Sequence, residues 1–206
     1  MIPPVFYIII GYLSGSVLFA NVYCRLFGKE RAADRSRDGN PGTANAYVYG
    51  GFLVGTLTLI SDLAKGIIPV MLYTYGKTSA GLASDVWLPL VLAAPVIGHI
   101  FPVFYGFSGG KGIAVTFGCL LGLAPYMMPA LTLAFFFIFF SLILRIKSHF
   151  HRTAVTYLVT SLALFPLGVH VTVFAGFLII TAAVILKLHQ SREERQKFEV
   201  KLLWMH

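Results

Sequence analysis

Seven apolar stretches follow one another along the chain, separated by short joints where charged residues, glycines and prolines collect. They cover residues 5–24, about 51–75, about 86–107, about 113–124, about 126–146, about 153–169 and about 171–188. A helix needs about 20 apolar residues to cross the hydrocarbon core of a bilayer, so the pattern predicts seven membrane-spanning helices. The fourth is the weakest. Pro125 and Pro129 leave it about 12 residues, which have to be tilted, kinked or half-buried in protein.

Composition supports that reading: 57% hydrophobic, 15% aromatic and 12% charged residues over 206 positions exclude a soluble domain. The expectation is an all-α integral membrane protein, a single membrane-embedded domain over 1–206. Charge then orients it, because cytoplasmic loops hold the excess of Lys and Arg. No positive residue precedes the first stretch, whereas Arg25, Lys29, Arg31, Arg35 and Arg37 follow it, which argues for an N-terminus outside and against a cleaved signal peptide. Segments 25–45, 106–112, 145–152 and 187–206 are then cytoplasmic and carry 14 of the 16 basic residues. A count of six or eight helices would move the basic tail outside, so seven helices with a cytoplasmic C-terminus fit better.

The net charge of +8 is on this view a topology signal and an attraction to anionic membrane lipids, and it requires no nucleic acid. The tail, about 189–206, reads as a short amphipathic helix on the inner surface, with Phe198, Leu202 and Leu203 dipping into lipid. Cys24 and Cys119 sit in or beside apolar runs with no motif spacing, so neither a disulfide nor a metal site is expected.

Four polar clusters fall on or near the cytoplasmic side. RSRDGNPGTAN, residues 35–45, sets Gly39 and Gly42 where backbone N–H groups can converge on an anion, with Asn40 and Asn45 adding side-chain donors or caps. The plainer reading is a turn with an Asn cap. SGGKG, residues 108–112, combines the permissive glycines Gly109, Gly110 and Gly112 with the positive charge of Lys111 at the start of a helix, though without the spacing of a nucleotide loop. An inside-positive anchor is the plainer reading of Lys111. DLAKG places Asp62 and Lys65 three residues apart on one helix face inside a crossing, as a polar site or as a structural ion pair. RIKSHFHR, residues 145–152, gathers three basic residues with His149 and His151, whose spacing suits a basic interfacial belt better than a metal site. Glycine-rich anion cradles and lysines on one face of a membrane bundle point to phosphate-bearing molecules, through lipid-precursor chemistry or anion transport. A transporter should show inverted repeats, and the sequence has none that can be seen.

The order GS-x-x-F (Gly15 to Phe19), GN-x-G-x-x-N (Gly39 to Asn45), D-x-x-KG (Asp62 to Gly66), GH-x-FP-x-F-x-x-F-x-GGKG (Gly98 to Gly112) and R-x-x-S (Arg145 to Ser148) resembles the bacterial acyl-phosphate:glycerol-3-phosphate acyltransferases, the PlsY family, over nearly the whole chain. The resemblance implies a multi-pass enzyme of the bacterial cell membrane with its active site facing the cytoplasm. It would move a fatty acyl group from acyl phosphate to the 1-hydroxyl of glycerol 3-phosphate, giving lysophosphatidic acid, without cofactor or metal, as a monomer.

The same resemblance implies that Gly39, Asn40, Gly42 and Asn45 hold the acyl-phosphate headgroup near Ser16, and that Lys111 with Gly109, Gly110 and Gly112 binds a phosphate. Lys65, Arg145 and Ser148 would help to bind glycerol 3-phosphate. His99 would orient the nucleophilic hydroxyl, act as its base, or only hydrogen-bond the glycine loop. The chain departs from the family pattern where Arg37 and Asp38 replace Gly-Ser, where Asp34 and Val48 stand at arginine positions, and at Ala20, Ser108 and Glu194. Those departures leave two alternatives: a diverged paralogue with another acyl acceptor, or a noncatalytic membrane partner.

Overall fold

Prolines, glycines and hydroxyl side chains mark many of the helix ends. A computed structural model describes residues 2–36, 38–191 and 199–202; Arg37, Glu194, Phe198 and Leu203 lie outside the described residues. Helix α1 (Pro4–Gly15) opens with proline in its first turn, where the missing N–H costs nothing. It closes at Ser16, whose hydroxyl donates back to the Tyr12 carbonyl at 2.8 Å. The chain then turns by 43° into α2 (Phe19–Leu26), so the first apolar stretch is a broken helix rather than a straight one. Two short helices follow, α3 (Ala32–Arg35) and α4 (Thr43–Asn45), and a widened turn over Ala46–Gly50.

Helix α5 (Phe52–Thr74) is the longest of the described helices and contains Pro69. A short α6 (Ser79–Ala83), capped by the Thr78 hydroxyl, leads to α7 (Leu88–Ile100) and a single tight turn over Val103–Tyr105. Next come α8 (Ile113–Leu121) and α9 (Met128–Ile138), the latter extended by a widened turn over Phe139–Ile143. Strand β1 (Leu144–Ile146), α10 (His149–Leu164), α11 (Val171–Gln190) and strand β2 (Val200–Leu202) complete the order.

The protein is thus mostly helical, and the helices fall on the expected stretches, but their lengths do not all match. Among the described residues three helical segments are long and apolar enough to cross a membrane: Phe52–Thr74, Leu88–Tyr105 and Val171–Gln190. The bent pair of α1 and α2 makes a fourth, and Met128–Ile143 is apolar but shorter. The tail also differs from expectation. Residues 200–202 form no amphipathic helix but pair antiparallel with β1, Leu144 opposite Leu202 and Ile146 opposite Val200. The end of the fifth apolar stretch is correspondingly strand, because its backbone groups find partners across the chain; Lys147 extends the ladder to the Glu199 carbonyl at 3.2 Å and pairs with its carboxylate.

Helix α7 is the axis of the bundle, with α1 on one flank and α11 on the other, while α5 packs along α8. The α1–α7 and α5–α8 contacts are backbone to backbone. A β-carbon added at Gly98 would lie 2.1 Å from the Tyr12 carbonyl oxygen, and one at Gly15 would lie 2.1 Å from that of Pro95. On the other pair, a β-carbon at Gly118 would come within 2.3 Å of the Leu63 oxygen. Lipid tails are as apolar as leucine, so helices in a bilayer associate through this kind of close van der Waals packing and through interhelical hydrogen bonds. The bundle supplies the second kind too: Ser161 and Thr181 join α10 to α11 at 3.1 Å, and Thr172 donates to the Leu82 carbonyl at 2.7 Å. Large apolar side chains point outward in return, among them Phe52, Leu131, Leu162 and Phe165, as expected of a surface solvated by lipid.

Gly98→Ala should therefore force α1 and α7 apart and cost about 2–3 kcal/mol. Gly28→Ala, where nothing lies within 4 Å but φ is +64°, should cost only about 1 kcal/mol of backbone strain. Thermal unfolding of the two variants in detergent micelles checks this; equal losses would mean that the α1–α7 contact yields.

Candidate active site

The polar core of the bundle is built around Lys65. Three residues after Asp62 on α5, its ammonium is almost fully buried, an arrangement that persists only with partners. Its Nζ donates to the Val17 carbonyl at 2.7 Å, a group exposed by the break between α1 and α2, and to Nδ1 of His99 at 2.8 Å. Oδ1 of Asp62 lies 2.9 Å away as an ion pair without hydrogen-bond alignment, and Oδ2 accepts from the Thr43 hydroxyl at 3.1 Å. One lysine thus ties α5 to α7 and to the α1–α2 break, and its carboxylate partner ties α5 to α4.

That geometry fixes the histidine. An ammonium has donors and no acceptor, so Nδ1 of His99 accepts and the ring proton sits on Nε2. Nε2 in turn faces the glycine loop, 2.2 Å from where a β-carbon on Gly110 would stand. The loop itself folds back over the end of α7: Gly109 N–H donates to the Ile100 carbonyl and Gly110 N–H to the His99 carbonyl, both at 3.1 Å. Those two amides satisfy the open carbonyls of a helix end, not an anion. Gly112, at φ +78°, then turns the chain into α8 and leaves Lys111 between the two.

Lys111 reaches Asp38, its Nζ 3.1 Å from Oδ2. On the other oxygen, Oδ1 accepts from the Asn45 side-chain amide at 2.8 Å and from the Asn40 N–H at 3.3 Å. Burial works against the charge of Asp38, but the Asn45 amide, the Lys111 ammonium and the Asn40 N–H outweigh it and hold the carboxyl below the usual aspartate range.

Above this cluster lies a polar cavity of about 930 Å³, lined by Asn21 of α2, residues around Asp38–Pro41, the 104–111 loop and Lys187, Gln190 and Ser191 at the end of α11. Two of its amide oxygens, on Asn21 and Asn40, are buried and have no hydrogen-bond partner among the described residues. A second groove of about 930 Å³ adjoins it through Asn21, Arg31 and Tyr105, and carries Arg25 and Lys29 beside Val22 and Leu26.

Of the residues singled out in the sequence, Gly39, Asn40, Gly109 and Lys111 line the cavity. Asn45 is one contact back, through Asp38, and Gly42 adjoins the Asn40 side chain. Lys65 and His99 form the layer beneath, and Gly110 and Gly112 shape the loop. The others are elsewhere. Ser16 is fully buried at the end of α1, where its oxygen also receives the Val103 N–H at 3.4 Å. Arg145 is exposed on β1, and Ser148 caps α10. Among the lining residues that are not candidates in the sequence are Asn21, Arg31 and Lys187, the last two read there as topology charges, and Asp38, which stands out only as a departure from a pattern.

A family model described as glycerol-3-phosphate acyltransferase matches residues 5–197. The chain belongs to this family. Its relatives include the glycerol-3-phosphate acyltransferase of Chromobacterium violaceum, 35% identical over 186 residues that cover 90% of this chain and 87% of the relative. That of Pseudomonas paraeruginosa is 39% identical over 126 residues, 61% of this chain and 62% of the relative. Among solved structures, PlsY, an integral membrane glycerol 3-phosphate acyltransferase crystallised in a glycerol 3-phosphate form, aligns with a TM-score of 0.76 at 28% identity, over 91% of this chain and 88% of that one.

Two outcomes follow for this acyltransferase-family site. Lys65→Met strands a buried carboxylate and should cost about 3–5 kcal/mol, while the double variant Asp62→Leu/Lys65→Met should recover much of that loss; thermal unfolding of both compares them. Asp38, as an acid with a lowered pKa, stabilises the fold fully above its ordinary value of about 3.9 and loses that contribution as pH falls through the lower native value. The difference in unfolding temperature between wild type and Asp38→Asn should accordingly stay flat from about pH 8 to about pH 5 and close only on stronger acidification.

Proposed function

We propose that this family member transfers a fatty acyl group from acyl phosphate to the 1-hydroxyl of sn-glycerol 3-phosphate, giving lysophosphatidic acid and inorganic phosphate. The observation that carries the reading is the convergence of Lys111, the Asn45 amide and the Asn40 N–H on one anionic group beside a cavity large enough for two phosphorylated molecules. An acyl phosphate is a mixed anhydride with a good leaving group, so the protein has mainly to position the reactants and neutralise charge. The hydroxyl oxygen attacks the acyl carbonyl carbon, the acyl carbon–oxygen bond to phosphate breaks, and the departing phosphate carries away the hydroxyl proton. His99 needs no part in that transfer. With Nδ1 accepting from Lys65 and Nε2 against Gly110, it positions the glycine loop.

Lys111, Asn40 and Asn45 take the acyl-phosphate headgroup, and Lys187 with Arg31 takes the phosphate of the acceptor. Lys65 is engaged in the core and Arg145 and Ser148 line neither cavity, so these three support the scaffold on this assignment. The α2 groove, with Val22 and Leu26 on its wall, receives the acyl tail. We assign the protein to the bacterial cell membrane as a monomer with seven crossings, N-terminus outside and the cavity facing the cytoplasm. The confinement of 14 of the 16 basic residues to four alternate segments supports that orientation.

Phosphate release from palmitoyl phosphate by the purified protein in lipidic mesophase tests the reaction. Release should depend on glycerol 3-phosphate and fall at least about 100-fold in Lys111→Ala, the scale of losing one preorganised charge donor. Release that ignores the acceptor, or that survives intact in the variant, would reject the assignment.

A further inference from the structure

The donors that would hold a substrate phosphate already hold a carboxylate that belongs to the chain. Asp38 is two-pronged in the way a phosphate is: one oxygen receives Lys111 at 3.1 Å, the other receives the Asn45 amide at 2.8 Å and the Asn40 N–H at 3.3 Å. Its side chain is only 19% exposed and stands in the wall of the polar cavity, which also holds the amide oxygens of Asn21 and Asn40 that find no partner among the described residues. An anion entering that position meets a like charge at contact distance, and it gains Lys111 only by displacing a charge-assisted bond already made.

We infer that Asp38 is a specificity-determining residue: a resident anion that occupies the phosphate position of the cavity and admits only a phosphate able to displace it. This rests on the reading of the cavity as a phosphate site. The discrimination follows from what each phosphate brings. One joined to a long acyl chain adds the burial of that chain, about 0.8 kcal/mol for each CH₂ withdrawn from water, and so displaces the carboxylate. Bare inorganic phosphate brings nothing beyond its charge. Asp38 therefore weakens its binding and, once acyl transfer has cut phosphate from its tail, returns to Lys111 and displaces it. The residue thus sets both the choice of donor and the exit of the product, without touching the acyl carbon.

The test measures inorganic phosphate, as a ligand by titration calorimetry of the detergent-solubilised full chain and as an inhibitor of turnover, in wild type, Asp38→Asn, Asp38→Ser and Asp38→Asn/Lys111→Ala. Removing the competing charge should tighten phosphate binding about tenfold in both single variants, equivalent to about 1.4 kcal/mol, and lower the inhibitory phosphate concentration by the same factor. The double variant should lose the gain, because Lys111 is the group released. Unchanged or weaker phosphate binding in Asp38→Asn and Asp38→Ser, with both variants folded by circular dichroism, would overturn the inference and leave Asp38 as a brace of the 38–45 loop. Calorimetry needs no turnover, so the two readings fail separately. Tighter phosphate binding with no acyl transfer would keep the resident anion and reject the reaction; glycerol 3-phosphate-dependent transfer with no gain in phosphate binding would do the reverse.

Discussion

A single buried ammonium holds the polar interior of this bundle together. Lys65 cannot leave its place without stranding Asp62, Nδ1 of His99 and the open carbonyl of Val17 at once, and each of those groups belongs to a different part of the chain. A charge in an apolar bundle is costly, so the elements that satisfy it are held in one relative position by the cost of every other. The break between α1 and α2 is tolerable for the same reason. Its Val17 carbonyl has no helical partner, and the lysine supplies one. Through His99 the constraint reaches the end of α7, and through Thr43 it reaches the loop that carries Asp38.

Glycine turns that anchor into a site. The 109–112 loop lies so close to α7 that side chains at Gly109 and Gly110 would collide with the His99 carbonyl and ring, and this closeness delivers Lys111 to the cavity floor. The same economy of side chains lets α1 meet α7 and α5 meet α8 through their backbones. Rigid contacts below and a donor cluster above describe a scaffold that spends its polar groups on position, which suits a reaction whose leaving group is already good.

Much of this was legible in the sequence, and the parts that were not share a cause. Apolar runs located the helices because bilayer solvation acts on each segment locally, and the 62/65 spacing showed the ion pair because one helix turn brings the two together. Lys65 and His99 are 34 positions apart, and nothing local says that they touch. The kink at Ser16 was hidden because Ser14, Gly15 and Ser16 are small residues that an uninterrupted membrane helix also accommodates. Strand β1 was hidden because its partner lies more than 50 residues further on, among residues with an amphipathic pattern that a helix would also satisfy. Lys187 reads in the sequence as a topology charge, because nothing local says that the end of α11 comes to line the cavity. Arg145 and Ser148, which the motif match assigns to glycerol 3-phosphate, line neither cavity: one lies on β1 and the other caps α10.

The balance of charge around the cavity constrains how any phosphorylated pair is held. Arg31 faces Asp34 through two hydrogen bonds, at 2.7 and 3.0 Å, and Lys111 faces Asp38, so of the cations lining the cavity Lys187 is the one with no carboxylate against it among the described residues. Charge alone is a weak hold on two dianionic ligands there, because only Lys187 is gained without first breaking a pair, and an exposed pair such as Arg31–Asp34 returns little when it re-forms with a new partner. Affinity then has to come from apolar surface, and the α2 groove beside the cavity offers it. Binding energy collected along a tail, remote from the reacting carbon, can be used to displace resident carboxylates and bring the headgroup into register. A chain with a more open set of cations would bind phosphates more readily and release them more slowly. In this one the carboxylates make occupancy conditional on the tail, so the same groups that weaken the hold on a bare phosphate favour its departure once the acyl group has moved.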